Sequence, residues 1–238
     1  MNVHILATVL KHELIASTLL VFKTLRAGFP TATIHVAGND LDHPCDIVLG
    51  RAAQAVGASY ANIPRVAHGA WIEFLLRRES EPFWICDGDI EFYGCVEDWF
   101  KNPTERQLFA GRYEPEFFEE WTQSQHVARL HPSLMWFNPR PLRAAMRLWP
   151  GKHPFFHSVE KTLVRWAFVP DSGKLRFYDT CAGLHHALEG TPFTPAQNDA
   201  FHHTFAGTYS DLIGATDEDS HNHEALCKSA LPVWPVGK

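Results

Sequence analysis

The segment Phe83-Trp84-Ile85-Cys86-Asp87-Gly88-Asp89-Ile90-Glu91-Phe92 carries the most chemistry in this chain. An apolar run that reads as a buried strand ends in two carboxylates one glycine apart. If the backbone stays extended, Asp87, Asp89 and Glu91 point the same way. Like charges on one face repel, and each makes the others harder to ionise. A cation between them removes that penalty. Oxygen-only ligands favour Mg²⁺ or Mn²⁺ over zinc or copper, and such ions keep positions open for phosphate oxygens. The same residues also spell an Asp-Gly turn closing a hairpin. The neighbouring elements decide between the two.

Those elements alternate. Val3–Val9 is a short apolar strand, and His12–Leu25 carries Leu14, Thr18, Val21 and Leu25 at helical spacing before Gly28. Thr33–Ala37 is a second strand, ended by Gly38-Asn39-Asp40. Asp46–Val56 is a helix stopped at Gly57, Ser59–Ile63 a third strand, Gly69–Arg78 a third helix, and Phe83–Ile90 the strand that delivers the carboxylates. Strand–helix alternation of this kind implies a mostly parallel, doubly wound sheet. Ligands of such sheets bind beyond the carboxyl ends of the strands, where Asp87-Gly88-Asp89 lies. This position favours the cation site over the hairpin.

The second half is less regular. Leu108–Arg112 and Leu134–Phe137 read as strands, Glu114–Glu120 as a surface helix or loop, and Pro141–Leu148 as a helix. Residues 149–158 read as a loop, Val159–Phe168 as a helix, Asp171-Ser172-Gly173 as a turn, Asp179–Leu188 as a helix and Phe201–Phe205 as a late strand. From Gly214 to Lys238 the chain is polar, then proline-rich. We expect one domain over 1–238, in two halves (1–100 and 101–213) with a tail (214–238).

Composition narrows the function classes. A formal charge of −6, with only Arg77-Arg78 adjacent among the spread-out basic residues, argues against a nucleic-acid binder. An anionic ligand must be held by a local site, a helix N-terminus or a bridging metal. The five cysteines form no C-x-x-C pair or zinc spacing, and an odd count reads as free thiols in a reducing compartment. No apolar run approaches the ~20 residues of a membrane span. The N-terminus lacks a signal peptide's basic start and cleavage site. These features predict a cytoplasmic protein with no transmembrane segment.

In order along the chain, the motifs resemble those of GT-A fold, D-x-D-containing glycosyltransferases. The opening strand and helix, His68-Gly69-Ala70 heading a helix, and WICDGDIEF are similar to the family's donor-binding half. SLMWFNPRPL (133–142) resembles the strand that ends in Asn and leads into a helix beside the acceptor site. Phe201-His202-His203-Thr204-Phe205-Ala206-Gly207 resembles a late strand that supplies a third metal ligand. In close subfamilies the histidine stands three residues before the glycine; here His203 stands four before Gly207 and His202 five, leaving the choice between them open.

The resemblance implies a GT-A fold with a Rossmann-like mixed, mostly parallel sheet flanked by helices, in which 1–100 would be the nucleotide-sugar-binding half and 101–213 the acceptor half. It also implies transfer from a UDP- or GDP-linked nucleotide-diphosphate sugar to a glycan or small-molecule acceptor. Asp89 would coordinate Mn²⁺ or Mg²⁺ directly, and Asp87 would be a second ligand or a ribose contact. Glu91 is outer-shell or surface. Thr8 and Val9, ending the first strand, fall where the family contacts the nucleobase and ribose. His68 and Gly69 open a helix whose N–H groups suit a diphosphate, with Arg65 just before them. Asn39 and Asp40 are either donor contacts or turn residues. Asp179 is an N-cap, a general base or an acceptor-orienting carboxylate, and Glu160 is a competing base. Trp136 and Phe137 are core residues or a stacking wall for a sugar.

Other readings share parts of this pattern. A nucleotidyltransferase would need a Gly- and Lys-rich loop after the first strand, and Thr8–Ile15 has one lysine and no glycine. A non-catalytic nucleotide-sugar binder would keep the donor half alone. A metal hydrolase would need histidine spacing found only at His221-Asn222-His223.

Overall fold

The computed structural model describes residues 1–9, 15–119, 124–148, 164, 167–171 and 174–203. Glu160, Gly207 and the segment 214–238 lie outside them. In chain order the described elements are β1 (Asn2–Ala7), α1 (Ile15–Thr18), α2 (Leu20–Gly28), β2 (Thr33–Asn39), α3 (His43–Ala55), β3 (Ser59–Ile63), α4 (His68–Arg78), β4 (Phe83–Asp87) and β5 (Ile90–Phe92). Next come β6 (Phe109–Glu114), β7 (Phe117–Glu119), β8 (Ser124–His126), β9 (Arg129–Phe137), α5 (Pro139–Leu148), β10 (Ala167–Asp171) and β11 (Lys174–Tyr178). The series ends with α6 (Ala182–Leu188), β12 (Thr191–Pro192), α7 (Pro195–Asn198) and β13 (Phe201–His203).

The main sheet has seven strands in the order β12-β6-β9-β4-β1-β2-β3. β4, β1, β2 and β3 run parallel, as strand–helix alternation requires. Successive residues of these strands bury opposite faces. Val3, Ile5, Ile34, Val36, Trp84 and Cys86 pack one core, together with residues of α2 and α3. Leu6, Phe83 and Ile85 pack the other, with α4 and Leu142 of α5. Burial on both faces explains the near-continuous apolar runs of these strands.

β9 enters between β6 and β4, antiparallel to both. Its direction places its start, not its end, at the carboxyl edge of β4. Phe137 pairs with Phe83, so Asn138 lies at the far end of the sheet from Asp87, where its N–H donates to Leu108 O (2.8 Å). The helix α5 that follows Asn138 therefore starts at that far end as well. Trp136 and Phe137 are fully buried, Trp136 stacked on Phe100 (4.7 Å) and Phe137 on Phe83 (5.3 Å), and belong to the core.

A second sheet, β10-β11-β8-β7, holds more of the less regular half. The segment expected as surface helix or loop forms the end of β6 and the strand β7; Pro115 ends the first ladder, and Phe117-Phe118 suit a strand. Ala167 and Phe168, expected to end a helix, are strand residues pairing with Tyr178 and Phe177. Among the described residues no helix is long and apolar enough to cross a membrane.

The α4 face of the sheet carries a polar cluster near its amino edge. His4 stacks on His35 (centroids 5.0 Å), its Nε2 lies 3.2 Å from Glu79 Oε1, and Asn2 Nδ2 donates to Glu79 Oε2 (2.9 Å). Burial, then the charge of His4, holds the His35 imidazole below its ordinary value of 6.5. The unfolded chain therefore takes up the proton first, and stability present above pH 6.5 is lost as pH falls from there through the folded value. We expect the melting temperature to fall between pH 7.5 and 5.5, and His35→Gln to flatten that slope in a differential scanning series. Equal slopes would contradict it.

Candidate metal and donor site

β4 ends at Asp87, and Gly88-Asp89 turn the chain into β5. The turn does not close a hairpin: β4 pairs with β1 and β9, while β5 pairs with β13. It also breaks the extended alternation, so Glu91 does not join the two aspartates. Glu91 is half-buried, with Oε2 3.5 Å from Tyr93 Oη.

Gly88 is required for packing. A Cβ there would sit 2.7 Å from Thr18 Cγ2 and 3.3 Å from Thr18 O, and Gly88 O accepts from Val21 N (3.3 Å). The turn is thus pressed against the start of α2. We expect Gly88→Ala to cost about 1–3 kcal/mol through overpacking and to displace both carboxylates. Chemical denaturation with and without Mn²⁺ checks this: the metal-dependent part of stability should vanish in the variant.

β13 supplies the third group. Its antiparallel register sets Phe201 opposite Phe92, His202 opposite Glu91 and His203 opposite Ile90. Phe201 and His203 are buried and His202 is exposed, as alternation dictates. His203 Nε2 lies 3.1 Å from Asp89 Oδ1 and 4.0 Å from Asp87 Oδ2. Asp87, Asp89 and His203 each offer one ligand atom within 4.8 Å of the others, the one such group among the described residues. His202 points away from them, which corrects its place beside His203 as a candidate ligand.

The donor set fits a divalent cation. Two carboxylates and an imidazole converge on one point, and without a cation the cluster is unfavourable. Burial, then the charge of Asp89, raises the Asp87 carboxyl well above the carboxylate range, against the pull of Arg129. Burial lowers the His68 imidazole to about 4, so it is neutral at physiological pH. His68 Nε2 stands 3.6 Å from Asp87 Oδ1.

The remaining predicted donor residues line the same edge. Leu6 pairs with Asp87, which brings Thr8 and Val9 beside the turn. Thr8 Oγ1 accepts from Asn39 Nδ2 (3.1 Å), and Thr8 O lies 3.5 Å from Thr18 Oγ1. Val9 packs against the core. Asn39 is a buried brace, donating to Val66 O (3.0 Å) and accepting from Val66 N (2.7 Å). Asp40 is exposed with a left-handed backbone (φ 57°), a turn residue. His68 and the buried Gly69 open α4, whose N-cap Ala67 provides no side-chain cap. Arg65 is exposed.

Asp179 is not an N-cap. α6 starts after Cys181, and Asp179 lies in the loop from β11, 8% exposed, its Oδ1 accepting the Thr180 N–H (2.6 Å). Its Oδ2 pairs with Arg129 Nη1. Arg129 begins β9 and Glu114 ends β6, and Arg129 Nε donates to Glu114 Oε2 (2.6 Å). His131 packs its ring 5.2 Å from that of His203, with Nδ1 2.9 Å from Ser133 Oγ. Burial, then Arg129, pushes the His131 imidazole well down. Sequence reasoning missed Glu114, Arg129 and His131. The signal was the run Arg129-Leu130-His131-Pro132-Ser133, with polar residues at alternate positions just before an apolar strand.

No protein-family model and no curated protein matches this sequence. Solved structures do match. An active-site mutant of LgtC gives a TM-score of 0.51 at 9% identity, over 99% of this chain and 98% of that one. The galactosyltransferase LgtC in complex with donor and acceptor sugar analogs gives 0.50 at 9% identity, with the same coverage. WbbM, a bifunctional glycosyltransferase, gives 0.50 at 10% identity over 82% of this chain, which spans only 39% of that one. The fold of the chain is that of GT-A glycosyltransferases.

Proposed function

We propose that this chain is a metal-dependent glycosyltransferase that moves a sugar from a UDP- or GDP-linked nucleotide-diphosphate sugar to the hydroxyl of a glycan or small-molecule acceptor. The observation that carries this reading is the convergence of Asp87, Asp89 and His203 at the carboxyl edge of β4. A cytoplasmic setting accords with the four cysteines among the described residues, all free thiols.

In this reading Asp89 and His203 hold Mn²⁺ or Mg²⁺, with Asp87 as a further ligand or a ribose contact. When bound, the ion offsets the charge that develops on the leaving diphosphate. Thr8 and Val9 border the nucleoside, and the first turn of α4 at His68 and Gly69 faces the phosphates. Asp179 addresses the acceptor hydroxyl. The bond from the anomeric carbon to the β-phosphate oxygen breaks, that oxygen keeps the electron pair, and the acceptor oxygen bonds to the carbon while its proton passes to the released diphosphate or to water.

The test is nucleoside diphosphate release from a panel of UDP- and GDP-hexoses, with Mn²⁺ and with EDTA. Release that requires Mn²⁺ is expected with at least one donor. Mn²⁺-dependent binding of UDP or GDP without release points instead to a non-catalytic binder, and equal release in EDTA would sink the metal assignment.

A further inference from the structure

Glu114, Arg129 and Asp179 form a line of alternating charge, with Arg129 and Asp179 buried and Glu114 half-buried, that links β6, β9 and the loop before α6. Such a line is a poor device for stability, because apolar residues of the same volume usually do as well. Its location is more telling. β9 runs against β4, so Arg129 lies at the carboxyl edge, two residues before His131, whose ring packs 5.2 Å from that of His203; the line runs beside the proposed site.

We infer that Arg129 is a positioning residue, fixing the Asp179 carboxylate so that it orients a substrate hydroxyl. The inference rests on the glycosyltransferase reading and adds a residue and a role to it. Arg129 is 5% exposed, and two different nitrogens of its planar fork engage two carboxylates. Lysine, with one nitrogen, cannot reproduce this.

Asp179 is anchored through both oxygens, Oδ2 by Arg129 and Oδ1 by the Thr180 N–H. A carboxylate has about four acceptor sites, so these two anchors do not by themselves prevent Asp179 from receiving a hydroxyl. Taking that hydroxyl's proton would weaken the pairing of a buried guanidinium, a costly exchange. An orienting role therefore suits Asp179 better than that of a general base.

The backbone after Asp179 is also held rather than relaxed. Cys181 sits in the left-handed region (φ 65°), which non-glycine residues rarely adopt. Ala182 N–H closes the turn onto Asp179 O (2.8 Å), and Cys181 N–H donates to Val164 O (3.0 Å).

A kinetic double-mutant cycle tests this. Nucleoside diphosphate release from the UDP- and GDP-hexose panel with Mn²⁺ is measured for the parent, Arg129→Met, Asp179→Asn and the double variant. Each single variant should lose about 100-fold in kcat, as misplacement of about 1 Å can cost, while Mn²⁺-dependent thermal stabilisation by UDP or GDP persists. The double variant should be no slower than Asp179→Asn alone, and added guanidinium should restore part of the Arg129→Met rate but none of the double variant's. Multiplicative losses, or an unchanged Arg129→Met rate, overturn the inference. So does loss of nucleotide binding in a folded Arg129→Met, which would make Arg129 a donor ligand. If Arg129→Met does not fold, Arg129→Lys takes its place in the cycle with the same expectations except guanidinium rescue. A parent that neither binds nor hydrolyses any donor overturns the glycosyltransferase reading itself, and this inference with it.

Discussion

Asp89→Asn should weaken Mn²⁺-dependent binding of UDP or GDP by at least about 100-fold, since even outer-shell changes at metal sites cost about 10–100-fold. The substitution keeps the side chain's shape and removes its charge. Asp89 is only 7% exposed and 3.1 Å from His203 Nε2, so no other described carboxylate can take its place in the group. The metal-free variant should be at least as stable as the parent, because the charge of Asp89 is one cause of the raised Asp87 carboxyl. Thermal shifts with Mn²⁺ alone, nucleotide alone and both together separate these effects. Stabilisation of the variant equal to the parent's would remove Asp89 from the site.

The two adjacent histidines should part company just as sharply. His203→Ala removes an imidazole 3.1 Å from Asp89 and should cost roughly 10–100-fold in Mn²⁺ affinity. His202→Ala alters an exposed side chain across from Glu91, and its stability should stay within about 0.5 kcal/mol of the parent. Its Mn²⁺ affinity should match the parent's. Calorimetric titration of Mn²⁺ in the presence of UDP or GDP measures both. Weakening by His202→Ala with retention in His203→Ala would mean that β13 presents its other face to the ion.

The contrast shows why one half of the fold was legible and the other was not. From β1 to β4 the information is local: apolar runs of strand length alternate with helical spacing, and right-handed crossovers leave little freedom in assembling them. Asp87-Gly88-Asp89 then had to lie at a carboxyl edge. The turn and cation-site readings of that tripeptide were not rivals, since the chain turns at Gly88-Asp89 and still brings both carboxylates together.

In the second half the information is non-local. Nothing within Ser133–Leu142 states that β9 runs against β4, yet that direction sends Asn138 to the far end and Arg129 to the site. The Glu114–Arg129–Asp179 line joins residues up to 65 positions apart through one strand pairing, β6 with β9, and the loop before α6. Asp179 was visible as a residue with a cap and a catalytic role both open, and the cap alternative fails because the left-handed Cys181 delays the helix to Ala182. His203 was visible only as one of a pair, and a two-residue alternation over three residues of β13 selected it.

Asp87, Asp89 and His203 together should hold a divalent ion against a nucleoside diphosphate. Electron paramagnetic resonance of Mn²⁺ titrated into the protein, with and without UDP or GDP, tests it most directly. One bound Mn²⁺ per chain is expected, tightened by a nucleoside diphosphate and lost in Asp89→Asn. Mn²⁺ binding that is the same in Asp89→Asn as in the parent, or that ignores both nucleotides, would contradict it.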